Sequence, residues 1–322
     1  MTIDIDKVKD QVIISMPGYI DKVLKQFQTI TRKQTASPMI YTPVNYGQKT
    51  QEVIDKDEKK LDEEQKLYVQ KVVGSLLYYA RIIDHSMLTA VTAIGSEVAN
   101  VTKSTIEKVE KLLNYAATYK DNKVIYNKSK MILRIQSDAS YLSRSKSRSV
   151  VGGIAYLINN ENNMHEINGA IQCLSNVIDV VVASAAEAEY AGVFNNARGG
   201  VWLRTVLEAM GFKQKTTTII CDNKCAVGLA QDTMKTRRSK SIDMRFHWIK
   251  DRVKQQQFEV IWVKGKYNLA DFFTKALPKN EHQNAMKKLV YTPIKNSTYY
   301  TSKWANKGNA WREKIQDRRT NV

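Results

Sequence analysis

The alternation of apolar and polar positions divides the chain into a mainly helical part and a later part that mixes strands with helices. Near the start, the pattern predicts a short strand at 12–14 and a helix that opens at Pro17. The polar stretch from Thr29 to about Lys60 shows neither a helical nor a strand period, which indicates a long surface connection. A small helical bundle is then predicted from three segments, 61–83, 87–101 and 105–119.

After residue 122 the pattern changes to short apolar runs separated by polar turns, which is typical of strands. Three consecutive strands without intervening helices favour an antiparallel meander, and the long helix that follows ends at Gly211. The predicted elements are strands over 131–136, 150–158 and 167–174, a helix over 185–210, a strand over 216–221, helices over 224–230 and 243–256, a strand over 258–263 and a helix over 269–276. This order predicts an α/β domain of ordinary size.

The charge of the chain indicates a polyanionic partner. Lys and Arg total 50 against 32 Asp and Glu, which gives a formal net charge of +18. Nucleic acid is favoured over a membrane, because no basic amphipathic anchor stands out and no uncharged apolar run reaches the ~18 residues that a spanning helix needs. Cys173, Cys221 and Cys225 do not complete a zinc-binding pattern, so they are interpreted as reduced thiols of an intracellular protein.

Four acidic residues fall at the ends of predicted elements. Asp138 ends the first strand of the α/β domain, Asp222 ends its fourth strand, and Asp271 opens the final predicted helix. Glu189 lies in the first turns of the long helix. Converging carboxylates are the ligands that hard divalent ions prefer, and two such ions can clamp the attacking and leaving oxygens of a phosphodiester. The pattern therefore favours metal-dependent phosphodiester cleavage.

Five short motifs, in this order, resemble the ribonuclease H domain of copia-type retrotransposon Pol polyproteins. Three motifs before them are similar to the end of the reverse transcriptase of the same family. The ribonuclease H motifs are SDASY at 137–141, AAEAEY at 185–190, CDN at 221–223, RSKSIDMRF at 238–246 and NLADFFTK at 268–275, and the upstream motifs are MPGYI at 16–20, GSLLYYAR at 74–81 and LLNY at 112–115. The resemblance covers about residues 12–290.

The resemblance implies a fold and a domain organisation. A ribonuclease H-like α/β domain, with a mixed five-stranded sheet flanked by helices, is expected after a mainly helical region like the thumb and connection of a reverse transcriptase. The expected divisions are 1–60 for the N-terminal strand, helix and long connection, 61–130 for the helical region, 131–278 for the ribonuclease H-like domain, and 279–322 for a basic, aromatic tail without an assigned fold.

The resemblance also implies an enzyme that hydrolyses the RNA strand of RNA/DNA hybrids during reverse transcription. The catalytic and metal-binding acids of the family carry over to Asp138, Glu189, Asp222 and Asp271, and the expected cofactor is Mg²⁺, as two ions, for which Mn²⁺ can substitute. Glu187 stays open as the alternative to Glu189. Residues two positions apart on a helix point about 200° away from each other, so only one of these two glutamates can face the ions. The expected partners are an RNA/DNA hybrid and the remaining reverse transcriptase and integrase parts of Pol, in cytoplasmic particles or the nucleus.

Two basic clusters flank these acids in the sequence. They are Arg144, Lys146 and Arg148 in the first cluster, and Arg237, Arg238 and Lys240 in the second. A run of charge is commonly only a solvated face. Because both clusters flank the expected metal site, we also consider them as contacts to the phosphates of a bound duplex.

The sequence also leaves a function of another class open. The chain contains no Tyr-x-Asp-Asp motif and no adjacent pair of aspartates, so we do not expect it to synthesise DNA. The absence of a polymerase palm is compatible with a non-catalytic, nucleic-acid-binding remnant of a Pol polyprotein. An integrase-type transposase with the same sheet is disfavoured, because it would require a glutamate on the last helix, where Asp271 stands.

Overall fold

The computed structural model describes residues 1–27, 33–41, 60–144, 147–180, 182–233 and 243–293, except for the side chains of 243–246. Met1–Tyr291 forms one compact unit. The helices are α1 (Tyr19–Gln26), α2 (Glu63–Ile82), α3 (Leu88–Glu97), α4 (Lys103–Thr118), α5 (Ala185–Ala209), α6 (Lys224–Ala230), α7 (Asp243–Lys254) and α8 (Lys279–Leu289), with short 3-10 helices at His85–Met87, Val98–Asn100, Gly265–Tyr267 and Leu269–Phe273. The strands are β1 (Thr2–Asp6), β2 (Gln11–Ser15), β3 (Val124–Asn127), β4 (Ile132–Arg144), β5 (Arg148–Ile158), β6 (Ala170–Val177), β7 (Thr217–Cys221) and β8 (Phe258–Trp262).

Five of the described strands form one mixed sheet in the order β6-β5-β4-β7-β8. The pairs β4/β5 and β5/β6 are antiparallel, as the predicted meander requires, whereas β7 pairs in parallel with both β4 and β8. Helices cover the sheet, and a mainly helical region precedes it. These features confirm the predicted ribonuclease H-like α/β fold class.

Several elements differ from those predicted. The strand over 131–136 continues to Arg144, because β5 pairs with it from Ile132 to Ser140 and again at Arg144, with an irregularity between Ser140 and Arg144. Asp138 therefore lies inside β4 and not at its end. The predicted helix over 269–276 is a five-residue 3-10 helix, Leu269–Phe273, that carries Asp271 at its centre and is named here the Asp271 turn.

Among the described strands and α-helices, three were not predicted: β1, β3 and α8. β1 and β3 flank β2 in a separate antiparallel sheet, and β2 pairs with β3 across more than a hundred residues of sequence. Short strands of this kind depend on a distant partner, which explains why the local pattern did not indicate them. Most of the predicted connection over 29–60 lies outside the described residues.

The sheet has a core on each face. Along β5, Ile154 and Tyr156 pack with the buried residues of α2, α3 and α4, while the intervening Ala155 packs with the core that includes Val193 of α5. This is the period-two alternation of a strand covered on both sides. None of the helices in the described ranges combines the length and the apolar character needed to cross a bilayer.

A buried polar network connects the helical region to α8. The Asp84 carboxylate accepts hydrogen bonds from Ser86 and from Asn122 Nδ2, the latter at 2.9 Å. Ser86 Oγ lies 2.6 Å from the hydroxyl of Tyr115, which lies 3.1 Å from Nε2 of His282 on α8. Burial raises the pKa of Asp84 to about 6, although the hydrogen bonds from Ser86 and Asn122 act in the opposite direction.

We expect an Asp84→Asn variant to become more stable relative to the parent as the pH rises. A carboxyl whose folded pKa is raised from 3.8 to about 6 contributes stability that is present at low pH and lost as the pH rises through the folded value. Between about pH 4.5 and about pH 7.5 the difference in free energy of unfolding should shift by about 2 kcal/mol in favour of the variant. Urea unfolding across this range measures the shift.

Burial also lowers the pKa of His85 and of His282 to about 4, so both histidines favour unfolding at acidic pH. Both remain in the variant, and their effect cancels in the difference. A difference that stays constant with pH would contradict the assignment of this titration to Asp84.

Candidate metal centre

The register of β4 and β7 places Asp138 and Asp222 beside each other. In this parallel pair Gln136 lies opposite Ile220, and two residues further along each strand direction come Asp138 and Asp222. A step of two residues returns the side chain to the same face of a sheet. The two carboxylates therefore lie at the same level of the sheet and on the same face.

Glu189 reaches the same edge from α5. This helix begins after Ser184, whose hydroxyl accepts a hydrogen bond from the Glu187 backbone N–H. Glu187 is half-buried and accepts a hydrogen bond from Ala183 N–H at 2.8 Å, so it takes part in the N-terminal turn of the helix. Glu189 is 7% exposed. The structure therefore buries Glu189 beside the aspartates and leaves Glu187 in the capping turn.

Small and polar residues allow α5 to pack closely on β4. A methyl group at Gly192 would lie only 3.2 Å from the carbonyl oxygen of Asp138. One turn later, Asn196 Nδ2 donates to Ser137 Oγ, Gly152 O and Gly192 O, each at 3.0 Å. These contacts determine the distance of Glu189 from the sheet.

The Asp271 turn is anchored to β4 by its flanking residues. Asn268 Nδ2 donates to the carbonyl of Ser137 at 2.9 Å, and the backbone N–H of Leu269 donates to Gln136 Oε1 at 2.5 Å. Behind the turn, the hydroxyl of the fully buried Thr274 donates directly to the Asp138 carboxylate. The segment that carries Asp271 is thus connected by hydrogen bonds to β4, the strand that carries Asp138.

The structure brings the four predicted acids together. Carboxylate oxygens of Asp138, Asp222 and Asp271 all lie within 4.8 Å of one another. Glu189 and Asp222 form a second group within the same distance, with the thiol of Cys221. Burial raises the pKa of this thiol, so Cys221 is a neutral and weak ligand, and the oxygens remain the principal donors.

Burial and mutual repulsion disfavour full ionisation of these acids. Burial, followed by the charge of Asp271, raises the pKa of Asp138 to about 7. Burial, followed by Asp138 and Asp222, raises the pKa of Glu189 to about 10, and burial with Asp271 also raises the pKa of Asp222. A divalent cation would relieve this repulsion. The donor set, made of carboxylate oxygens, fits a hard ion.

Lys275 was not predicted as part of the site. Its Nζ lies 2.9 Å from Asp271 Oδ1. Burial would lower the pKa of Lys275, but the charges of Asp271, Asp138 and Asp222 outweigh it and the pKa is raised. Its position four residues after Asp271, one helical turn on, was the available sequence signal. Lys275 therefore supplies positive charge directly to the acidic cluster.

Trp262, the last residue of β8, and Gly265, which follows the strand, complete the surroundings of Asp222. Trp262 Nε1 donates to the carbonyl of Asp222 at 2.9 Å, and the Nζ of Lys224 lies 4.6 Å from the centre of the Trp262 ring. A methyl group at Gly265 would come within 2.8 Å of Asp222 Oδ2. A side chain at this position would therefore require the Asp222 carboxylate to move.

The basic clusters are only partly described. Arg144 and Arg148 lie opposite each other at the end of the β4/β5 hairpin. Arg144 is 8% exposed, whereas Arg148 is exposed to solvent. Lys146, Arg237, Arg238 and Lys240 lie outside the described residues.

Comparison with known proteins indicates retrotransposon relatives. No family model matches the chain. It is 24% identical over 278 residues to the retrovirus-related Pol polyprotein from transposon TNT 1-94 of Nicotiana tabacum, which covers 86% of this chain and 20% of that protein. It is 26% identical over 295 residues to the corresponding polyprotein from transposon RE1 of Arabidopsis thaliana, covering 91% and 19%. The predicted resemblance to retrotransposon Pol polyproteins is confirmed, and the chain spans about a fifth of the length of these relatives.

Solved structures with partial similarity include ribonucleases H. The N-terminal RNase H domain of rv2228c from Mycobacterium tuberculosis has a TM-score of 0.34 and 15% identity, covering 49% of this chain and 96% of that one. LC11-RNase H1 in complex with an RNA/DNA hybrid has a TM-score of 0.32 and 14% identity, covering 44% and 93%.

We expect Gly152→Ala to destabilise the protein at the candidate metal centre. A methyl group at Gly152 would lie 2.6 Å from Thr274 Cγ2, 2.9 Å from Ala270 O and 2.9 Å from Phe273 Cβ, so the Asp271 turn would have to move away from β5. Overpacking of this kind costs about 1–3 kcal/mol of unfolding free energy. Denaturant unfolding measures the loss.

Gly74→Ala is the matched control, because Gly74 lies on α2 with no atom within 4 Å of the added methyl group. That substitution should instead stabilise the protein by about 0.5–1 kcal/mol. Equal effects of the two substitutions would contradict close packing at Gly152.

Proposed function

We propose that this chain is a retrotransposon-derived ribonuclease H, which hydrolyses the RNA strand of RNA/DNA hybrids during reverse transcription. The observation that carries the proposal is the convergence of Asp138, Asp222 and Asp271 within 4.8 Å, with Glu189 beside Asp222, at one edge of a ribonuclease H-like sheet. The similarity to retrotransposon Pol polyproteins supports the same conclusion.

In this proposal the four acids hold two Mg²⁺ ions, for which Mn²⁺ can substitute. When bound, the ions would lower the pKa of the attacking water and stabilise the departing 3′ oxygen. Asp138 occupies the central strand between the other acids and is the proposed shared ligand. The hydroxyl of Thr274 orients its carboxylate, and Asn268 holds Asp271 against β4.

The basic surface would bind the substrate by charge. With a net charge of +18, the chain is suited to a polyanion, and duplex phosphates are bound without reading the bases. Arg148, at the exposed tip of the β4/β5 hairpin, is the best-placed described candidate. Arg144, Lys146, Arg237, Arg238 and Lys240 belong to the same proposal. The remaining reverse transcriptase and integrase parts of a Pol polyprotein are its proposed protein partners.

Asp138→Asn should abolish cleavage of the RNA strand in a labelled RNA/DNA hybrid. Residues that merely support a metal ligand already contribute about 10–100-fold to activity, so loss of the central ligand should exceed about 100-fold. The assay compares the parent and the variant with Mg²⁺, Mn²⁺ or EDTA, on the hybrid, on an all-DNA duplex and on single-stranded RNA.

The expected result is cutting that is confined to the RNA of the hybrid and lost in EDTA or in the variant. A variant that cleaves at the parent rate would show that Asp138 is not a ligand. If the folded parent binds the hybrid in a salt-sensitive manner but does not cut it in any metal, the enzyme proposal fails and the non-catalytic remnant is favoured.

A second comparison separates the two glutamates of α5. We expect Glu189→Gln to reduce cleavage by more than about 100-fold, because Glu189 is the buried carboxylate beside Asp222. Glu187→Gln keeps an oxygen that can accept the Ala183 hydrogen bond and should cleave at nearly the parent rate. Initial rates under identical metal concentrations measure both. The opposite ranking would assign the catalytic role to Glu187.

A further inference from the structure

The Asp271 turn lies between the sheet and the helical region. Leu269, Phe272 and Phe273 belong to the same apolar core as Leu88 and Val91 of α3. On the sheet side, the turn packs against the backbone of Gly152. The segment that carries the last acid is therefore enclosed by two parts of the chain that are far apart in sequence.

Thr89 on α3 makes a direct polar contact to this turn. The Thr89 side chain is 3% exposed, and its Oγ1 donates to the carbonyl oxygen of Phe272 at 2.8 Å. Phe272 directly follows Asp271. A buried carbonyl at the end of a short 3-10 helix requires a donor, because so short a helix satisfies few of its own backbone groups.

The α8 helix provides a second contact on the same side. The rings of Phe272 and His282 lie 4.7 Å apart between centroids, and His282 Nε2 lies 3.1 Å from the hydroxyl of Tyr115 on α4. Phe272 is thus contacted at its backbone by α3 of the helical region, and at its side chain by α8, which is in turn connected to Tyr115 of that region. On its other side, the turn is anchored to the sheet by the hydrogen bonds that Asn268 and Thr274 donate to β4.

We propose that Thr89 is a positioning residue for the Asp271 carboxylate, and that the helical region consequently contributes to the affinity of the site for metal ions. The inference rests on the proposed role of Asp271 as a metal ligand. Removal of the hydroxyl leaves the Phe272 carbonyl without this donor, so the turn relaxes away from α3. Asp271 then moves relative to Asp138 and Asp222, and the affinity for the metal falls.

The test compares three variants of the full chain: Thr89→Val, Thr89→Ser and Thr92→Val. Valine preserves the shape of threonine but removes the donor, whereas serine retains it. Thr92 lies one turn further along α3, and its hydroxyl contacts Thr89 O at 3.2 Å and Ser175 Oγ of β6 at 3.0 Å, not the Asp271 turn. It is therefore the matched control for loss of a hydroxyl at the same interface.

Binding of Mn²⁺, without nucleic acid, is measured by the electron paramagnetic resonance signal of the free ion. The part of the binding that is lost in Asp271→Asn is the part that depends on this site. Thr89→Val should weaken that binding about tenfold, at the lower end of the effect of residues that orient metal ligands. Thr89→Ser should restore it, and Thr92→Val should bind Mn²⁺ as the parent does even where its melting temperature falls. If the valine variant does not fold, Thr89→Ala replaces it in the same comparison.

Three results would overturn the proposal: parent-like Mn²⁺ affinity without the Thr89 hydroxyl, equal weakening by Thr89→Val and Thr92→Val, or no Asp271-dependent Mn²⁺ binding in the parent. Hybrid cleavage is recorded separately. A parent that binds Mn²⁺ through Asp271 but does not cleave contradicts the proposed function, while the binding comparison still decides the role of Thr89.

Discussion

Carboxylates that are partly or wholly removed from water repel one another, so gathering four of them at one edge of a sheet costs free energy. The raised pKa values of Asp138 and Glu189 express this cost. Lys275 offsets part of it through its ion pair with Asp271. The surrounding fold must hold the acids in place against their repulsion. This requires close packing and hydrogen bonds at this edge of the sheet.

Close packing between backbone segments holds the acids at their positions. Gly192 lets α5 lie against the Asp138 backbone, Gly152 lets the Asp271 turn lie against β5, and Gly265 leaves space for the Asp222 carboxylate. Asn196 and Asn268 then connect the helix and the turn to the strands through hydrogen bonds to backbone carbonyls. Each acid is consequently positioned by contacts outside its own element, and a shift of one element would displace more than one ligand.

The helical region contributes to the same arrangement from the other face of the sheet. Its apolar residues share a core with β5 and with the Asp271 turn, and its buried polar network reaches α8 through Tyr115 and His282. The helical region therefore packs directly on the five-stranded sheet and on the Asp271 turn. It encloses the turn that carries the last acid, which explains how a residue such as Thr89 can influence a carboxylate on a distant part of the chain.

Local patterns in the sequence indicate the long helices, the sheet strands with strong apolar runs, and the four acids as candidates. These features depend on local periodicity and on short motifs, and α2, α5, β5 and β7 follow the predicted segments closely. The motif also favoured Glu189 over Glu187; in the structure Glu189 is buried and Glu187 is half-buried.

The remaining features depend on contacts between elements that are distant in the sequence. β3 forms because β2 lies beside it, Lys275 and Thr274 face the acids because the Asp271 turn packs across β4, and Thr89 meets Phe272 across 183 residues of chain. Nothing in the local sequence of either partner specifies such a contact. It arises when the apolar faces of separate elements are buried together, and that burial brings distant polar groups within hydrogen-bonding distance.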